Sequence, residues 1–325
     1  MNAAIIGSGI AGIAAAIRLA RFGYEVSVFE ATGSAGGKIK EFRRDEYRFD
    51  AGPSLLTLPS LVDELFSLCG KDPSVYFRYQ KLDTICKYFF EDGTSISAFA
   101  DPEKFSTELF QKTGEPVEHI RAYLSESEAL YNLTAPVFLE RSLHRLNTYL
   151  SPNAWKAFFQ LYKLDAFHSL HDRNKKSFQS EKVIQLFDRY ATYNGSDPYL
   201  APATLKVIPH LEYNLGAYFP DGGMYSITRS LVNLAEEMGV IFHYNSKVER
   251  IQVKNKKAIA VSVNSNEIAF DIIISNMDVV NTYRKLLPGE KHPEKILSQP
   301  RSSSALVFYW GISKQFPQLD LHNIF

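Results

Sequence analysis

The sequence predicts an α/β chain: a parallel-sheet domain in two pieces, interrupted by a second domain of mixed sheet and helix. Three observations lead there. Residues 2–30 read as strand, glycine turn, helix and strand. Residues 101–190 switch to helical apolar periodicity. Helix and strand signals then return after Gly222-Gly223. A chain of 325 residues has room for two domains. The switches place them at 1–70 with 218–285 and at 71–217 with 286–325.

Ala4-Ile5-Ile6 is the first strand, and it runs into Gly7-Ser8-Gly9-Ile10-Ala11-Gly12, a G-x-G-x-x-G turn. Gly7 permits the tight turn, Gly9 lets a pyrophosphate approach the backbone, and Gly12 allows close helix–sheet packing. The following helix offers free N–H groups and the positive end of its dipole to phosphates. The second strand, from Glu25 to Phe29, ends on Glu30, with Ala31 after it. A carboxylate there accepts bonds from ribose hydroxyls and repels a 2′-phosphate, so FAD or NAD fits better than NADP. Glycines also mark ordinary turns; strand, helix and acid together make this a dinucleotide-binding, Rossmann-type unit. Residues 3–17 are apolar, but no Lys or Arg precedes them, and Arg18 and Arg21 follow, which argues against an export leader.

A second glycine loop comes next. Gly33-Ser34-Ala35-Gly36-Gly37-Lys38 is followed by Phe49-Asp50-Ala51-Gly52-Pro53-Ser54-Leu55. Such a loop suits a ligand that extends past its first phosphates, with Lys38 near the pyrophosphate. It is equally consistent with a surface loop, and the residues alone leave both readings open.

Residues 5–54 resemble the entry segment of the flavin amine oxidase and carotenoid desaturase flavoproteins, whose pattern is G-x-G-x-x-G, an acid, G-G-R and F-D-x-G-P. Gly36-Gly37 and Phe49-Asp50-Ala51-Gly52-Pro53 match it; Lys38 stands where the family usually has Arg. Lys keeps the charge and loses the planar fork of donors, which implies a retained but looser contact. Farther on, Phe187-Asp188-Arg189-Tyr190-Ala191-Thr192-Tyr193-Asn194-Gly195-Ser196-Asp197-Pro198-Tyr199 and Ala201-Pro202-Ala203-Thr204 resemble a block of bacterial phytoene desaturase-type enzymes, nearest the 1-hydroxycarotenoid 3,4-desaturase branch. Phe219-Pro220-Asp221-Gly222-Gly223-Met224 matches that group's P-x-G-G-M segment.

The resemblance implies FAD as cofactor. It would be held by Gly7, Ser8, Gly9, Ile10, Ala11, Gly12, Glu30, Ala31, Gly36, Gly37, Lys38, Gly52, Pro53, Ser54 and Leu55, with the backbone of Val248 against the adenine. Asn276, at the end of a late strand, is a further candidate. The implied substrate is a long apolar polyene, and the implied reaction removes two hydrogens from adjacent carbons. Arg189, Tyr190 and Tyr193 are the substrate-positioning candidates; no catalytic base is assigned. Phytoene desaturation and polyene cis–trans isomerisation are alternatives on the same scaffold. A non-catalytic lipid binder of the GDP-dissociation-inhibitor kind is a third, and the two glycine loops speak against it. Relatives in this family run on to a further glycine-rich segment, so the sequence reads as a truncated relative.

Asp83 to Phe99 reads as a hairpin turning at Asp92-Gly93. The helical block, with Pro102 and Pro152 near helix starts, holds Phe105, Phe110, Tyr123, Tyr131, Phe138, Tyr149, Trp155, Phe158, Phe159, Tyr162 and Phe167. Core packing is expected for most of these rings; residues 101–180 could also rest on a bilayer. Gly222-Gly223 opens a helix through Met238, and Val240-Ile241-Phe242 is a short strand. Lys247–Val253, Ala258–Val263 and Ile268–Ile274 read as a return to parallel sheet, and Ser302–Ile312 as one more strand. There is no second G-x-G-x-x-G, hence no expected nicotinamide domain.

Composition narrows the partners. With 36 basic and 36 acidic residues, no net field favours nucleic acid. Cys69 and Cys86 have no metal spacing and suit a reducing cytoplasm. His168 and His171 lack a third ligand at diagnostic spacing, so no metal is expected. Lys254-Asn255-Lys256-Lys257 reads as a solvated hairpin tip. No segment reaches the roughly 18 apolar residues of a spanning helix. The expected location is cytoplasmic, peripheral on the inner face of the membrane; the sequence leaves oligomeric state open.

Overall fold

The first strand, Asn2–Ile6, is buried at every position from Ala3 to Ile6. Burial on both faces marks a parallel strand, and this one pairs in parallel with Glu25–Phe29 on one side and Ile272–Ser275 on the other. Ile241–His243 extends the sheet beyond Glu25–Phe29, also in parallel. The chain therefore leaves the first strand toward one edge and returns on its other side much later. That reversal creates a crevice outside the carboxyl ends of the strands, where open α/β sheets bind ligands. The structure, a computed structural model, describes residues 1–142, 144–151, 155, 165–299 and 301–325, with the side chain of Phe138 not described.

Two helices cover the sheet. Ile10–Arg21 buries Gly12, Ile13, Ala16 and Ile17, and Tyr225–Glu237 buries Ile227, Leu231, Leu234 and Ala235. Both join Val26, Val28 and Phe66 in one core. Arg18 and Arg21 stand in the last turn of the first helix, where cations complement the dipole.

The chain divides into two compact units, Met1–Gln80 with Tyr218–Pro300 and Lys81–Ala217 with Arg301–Phe325. The divisions fall after Gln80, Ala217 and Pro300, the first and last shifted from the expected 70 and 285. Side-chain bonds explain the shift. Tyr79 Oη donates to Asp63 at 2.6 Å, and its ring meets Tyr218, which keeps that segment in the first unit. Leu286 is buried in a core with Val248 and Val261, and Arg284 pairs with Glu294.

Three strand expectations need correction. The segments after Lys247 form an antiparallel meander, Val248–Lys254, Lys257–Val263 and Asn266–Ala269, and only Ile272–Ser275 rejoins the parallel sheet. The single strand expected over Ile268–Ile274 breaks at Asp271, whose Oδ2 accepts from Asn2 N and whose N donates to Asn2 Oδ1, both at 2.9 Å. The hairpin tip is as read: Asn255 and Lys256 take left-handed φ of 53° and 62°, the geometry of a two-residue turn. Ser302–Ile312 forms no strand. Alternating apolar residues suggested one, but a strand needs a ladder partner, and Leu306, Phe308 and Trp310 stand exposed.

In the second unit, Thr84–Phe89 and Ser95–Phe99 form the expected antiparallel hairpin, and Asn323–Ile324 adds in parallel. Pro102 opens the Pro102–Thr113 helix, with Asp101 Oδ1 accepting from Lys104 N at 2.8 Å as N-cap. The longer Val117–Phe138 and the shorter Leu170–Ser177 and Glu181–Asp188 follow. Phe105 and Tyr123 are buried and pack around Phe187. Phe110, Tyr149, Trp155 and Phe167 are exposed, so core packing accounts for only part of the ring-rich block. Pro152, Phe158, Phe159 and Tyr162 lie outside the described residues. Only His171 of the histidine pair lies on a helix; its Nδ1 is 2.7 Å from Asp188, and His168 is held by Asp165. No helix among the described residues is long and apolar enough to cross a membrane.

Candidate dinucleotide site

The turn out of the first strand depends on glycine. Gly7 has φ of +93°, a region closed to most side chains. A Cβ on Gly12 would lie 2.3 Å from the Gly7 carbonyl oxygen and 2.8 Å from Asn276 Nδ2. Gly9 is likewise hemmed in, its Cβ position 2.9 Å from Asn276 Nδ2. Asn276 thus belongs to this loop: its Nδ2 donates to Gly7 O at 3.4 Å and its backbone N to Ile6 O at 2.9 Å. Helix Ile10–Arg21 then starts at Gly9 with no side chain capping it. The first-turn N–H groups, at Ile10, Ala11 and Gly12, have no intrahelical acceptor, and Ala11 is exposed. An anion fits there.

Glu30 stands at the end of the second strand. Its backbone is fixed on both sides, N donating to His243 O and O accepting from Ser246 N. One carboxylate oxygen accepts from Ser8 N and Oγ at 3.0 and 2.8 Å, the other from Thr32 N and Oγ1 at 2.9 and 2.8 Å. Burial raises its pKa, but these bonds from Ser8 and Thr32 outweigh it and hold the acid below the usual carboxylate value. The sign of the consequence follows. A depressed acid favours the ionised, folded arrangement above its unfolded pKa and loses that advantage as pH falls through the folded value. Because the acid ionises below its ordinary value, dinucleotide affinity is expected to stay level from neutral pH into the acid range and to fall only below the usual carboxylate value. Equilibrium titration with FAD across that range checks this, and Glu30→Gln should remove the acid-side fall.

Gly7, Glu30, Ala31 and Val248 line one cleft of about 600 Å³ at the carboxyl ends of the strands. Lys247, Asn281 and Lys285 also line it, and the sequence carried no signal for them. Lys247 directly precedes the meander, and Asn281 and Lys285 stand on the helical segment Val279–Leu286 that follows the return of Ile272–Ser275 to the sheet.

The second glycine loop packs on the first. Gly36 N donates to Ser8 O at 2.8 Å, and a Cβ on Gly37 would lie 3.0 Å from Gly9 Cα. Gly52 has φ of +120°, with its Cβ position 2.1 Å from Lys38 O. Lys38 and Pro53 are exposed, and Ser54 and Leu55 are half-buried; none of the four lines the cleft. Asp50, on the strand Tyr47–Ala51, is not among the expected site residues. It accepts from Met224 N at 3.0 Å and Tyr225 N at 3.2 Å, so it caps the Tyr225–Glu237 helix. It also pairs with Arg48, which donates to Gly222 O. A Cβ on Gly223 would lie 2.2 Å from Asp50 Oδ2, which is why P-x-G-G-M needs its second glycine. With that N-terminus occupied by Asp50, the uncapped one at Gly9 is left for phosphate.

Arg189, Tyr190 and Tyr193 lie in the second unit, on the 3₁₀ turn Arg189–Asn194, and converge on an acid that sequence reasoning missed. Glu212 is fully buried. Its Oε2 accepts from Arg189 Nη2 and Tyr190 Oη, both at 2.9 Å, and its Oε1 accepts from Tyr193 Oη. The guanidinium lies over the Tyr190 ring, 4.5 Å from its centroid. Burial first, then the Glu212 charge, pushes the Tyr190 and Tyr193 hydroxyls well up, so they stay protonated donors. A lone acid in Leu211-Glu212-Tyr213 gave no motif to find.

A parallel sheet with a glycine turn, an uncapped helix N-terminus, an acid at the next strand end and a late-returning strand defines a dinucleotide-binding fold of the oxidoreductase kind. The chain belongs to the flavin containing amine oxidoreductase family, whose model matches residues 10–307. It is 50% identical over 323 residues, 99% of this chain, to a 1-hydroxycarotenoid 3,4-desaturase of Flavobacterium sp. (strain P99-3), and spans 66% of that relative's length. It is 31% identical to a 4,4′-diapolycopene oxygenase of Methylomonas sp, over 99% of this chain and 65% of that protein. Among solved structures, an oxidoreductase from Methanosarcina mazei superposes with a TM-score of 0.62 at 17% identity, covering 90% of this chain and 62% of that one. The family's flavin fits the residues present. The Gly9 and Gly12 backbones, the free helix N-terminus and the ionised Glu30 are donors and an acceptor of the right kinds for a dinucleotide.

Proposed function

We propose that this chain binds FAD at the Gly7–Gly12 cleft and that its full-length form desaturates a long polyene, introducing the 3,4 double bond of a 1-hydroxylated acyclic carotenoid. The observation that carries the reading is the half-identity along the whole chain to a desaturase of that description, over a site whose groups suit the cofactor. Bound flavin supplies a two-electron hydride acceptor. This chain's residues do the rest of the holding: the first-turn N–H groups after Gly9 take the pyrophosphate, Glu30 takes the ribose, and Val248 and Ala31 wall the adenine. Ser8 and Thr32 keep Glu30 ionised and aimed. Phytoene desaturation or polyene isomerisation on the same scaffold is the second reading; isomerisation gives a product with no net loss of hydrogen.

The partner is an apolar polyene, and we place the protein in the cytoplasm, peripheral on the inner membrane face. Exposed Leu146 and Leu150, close in sequence to the exposed Arg141 and Arg145, support that placement. The test is conversion by the full-length form of hydroxylated and plain polyenes, with product analysis. The expected result is a yellow protein giving a product two hydrogens lighter. A colourless protein that FAD does not reconstitute, or one that leaves every polyene unchanged, overturns the reading.

A further inference from the structure

A buried ion pair is a costly choice for a core. Desolvating a carboxylate and a guanidinium costs several kcal/mol each, and apolar residues of similar volume often serve stability as well. The second unit nevertheless holds Glu212 and Arg189 in an aromatic box of Tyr88, Tyr190, Tyr193 and Tyr213. Two of the four tyrosines, Tyr190 and Tyr193, bind Glu212. The hydroxyls of Tyr88 and Tyr213, and Arg189 Nε, have no hydrogen-bond partner among the described residues, although Tyr88 is only 3% and Tyr213 only 2% exposed. Buried donors without partners are rare in native proteins, because each loses its hydration with nothing in return.

Two of the three orphan groups border the same space. A cavity of about 60 Å³ is lined by the polar Tyr88, Arg189 and Gln185 and by the apolar Phe89, Phe90, Leu186, Ile324 and Phe325. That is the share of about two water molecules, enough for an alcohol and its carbon. Its walls suit hydrocarbon, and its polar end offers a phenol and a guanidinium, both donors to an alcohol oxygen. Glu212 completes the arrangement by fixing Arg189 and drawing Tyr190 and Tyr193 away from the cavity.

We propose that this cavity recognises the hydroxylated end of the polyene, with Tyr88 Oη and Arg189 Nε binding the alcohol oxygen and Glu212 acting as the positioning residue for Arg189. The inference rests on the polyene reading above and adds the group that is read. It accounts for a preference for hydroxylated over plain substrate by the usual physics of specificity: a site built around a substrate hydroxyl leaves buried groups unpaired when that hydroxyl is missing.

The deciding variant is Tyr88→Phe in the full-length form. Removing an orphan hydroxyl while keeping the ring is expected to leave the thermal midpoint level or raise it. The kcat/KM ratio for hydroxylated over plain polyene is expected to fall about tenfold, the worth of one good hydrogen bond to substrate. A lower midpoint, or an unaltered ratio, overturns the inference, because a structural tyrosine would act on both substrates alike. Binding separates this failure from failure of the desaturase reading. Should the wild type bind hydroxylated polyene in preference to plain polyene but convert neither, the desaturase reading falls, and loss of that preference in Tyr88→Phe still supports the cavity. Equal binding of both polyenes by the wild type overturns the cavity alone.

Discussion

Gly36→Ala is expected to abolish dinucleotide binding and to destabilise the first unit by about 3 kcal/mol or more. Gly36 sits at φ of +116°, and a Cβ there would lie 2.0 Å from the Ile39 carbonyl oxygen and 2.9 Å from Thr228 Oγ1. The Thr228 side chain could turn away; the Ile39 carbonyl is backbone and cannot. Relief requires the Gly36-Gly37 loop to move, and that loop is bonded to the first one through Gly36 N and Ser8 O. Ser8 in turn donates to Glu30. A single methyl group therefore disturbs the Gly7–Gly12 turn and Glu30 together. Urea denaturation and FAD titration measure the two effects. Gly33→Ala is the control: its Cβ position meets nothing nearer than the Asn245 side chain at 3.5 Å, and its φ is not left-handed, so little change is expected. Equal behaviour of the two variants would refute the argument.

Glu212→Gln is expected to cost about 3–5 kcal/mol, the usual penalty for removing one partner of a buried ion pair. The amide keeps the shape of the carboxylate but leaves Arg189 with an uncompensated charge in an aromatic box. The double variant Arg189→Met with Glu212→Leu removes both charges and should recover much of that loss, since apolar residues of similar size suit such a site. A double-mutant cycle on urea midpoints gives the coupling directly. If Glu212→Gln shifted stability by less than 1 kcal/mol, the pair would be shown to be solvated in solution.

Much of the site was legible because its chemistry is local. Gly7, Gly9, Gly12 and Glu30 act through backbone conformation and strand ends within one unit of strand, helix and strand, and each requirement leaves a mark at a fixed spacing. The hairpin at Asp92-Gly93 and the tip at Asn255-Lys256 were readable for the same reason: turn residues declare their dihedral angles. The failures share an opposite cause. Ser302–Ile312 has the pattern of a strand without a ladder to join, and pairing is a property of two segments. Alternation after Lys247 marks two strands correctly, merges Asn266–Ala269 and Ile272–Ser275 into one, and does not say whether a neighbour runs parallel or antiparallel. Asp50 was seen as part of a motif, yet its task is to cap a helix whose first N–H groups lie 174 residues away.

By itself, then, the sequence determined the glycine turn, the acid at the end of the second strand and the class of ligand, since these depend on which residues lack side chains and which carry charge at short range. Tertiary structure alone decided that Asn276 packs into the turn, that Lys247, Asn281 and Lys285 share a cleft with Glu30, and that Arg189, Tyr190 and Tyr193 are gathered by Glu212. The physical reason is range. A buried charge is tolerated only where the fold supplies its partner, and that partner can stand anywhere along the chain.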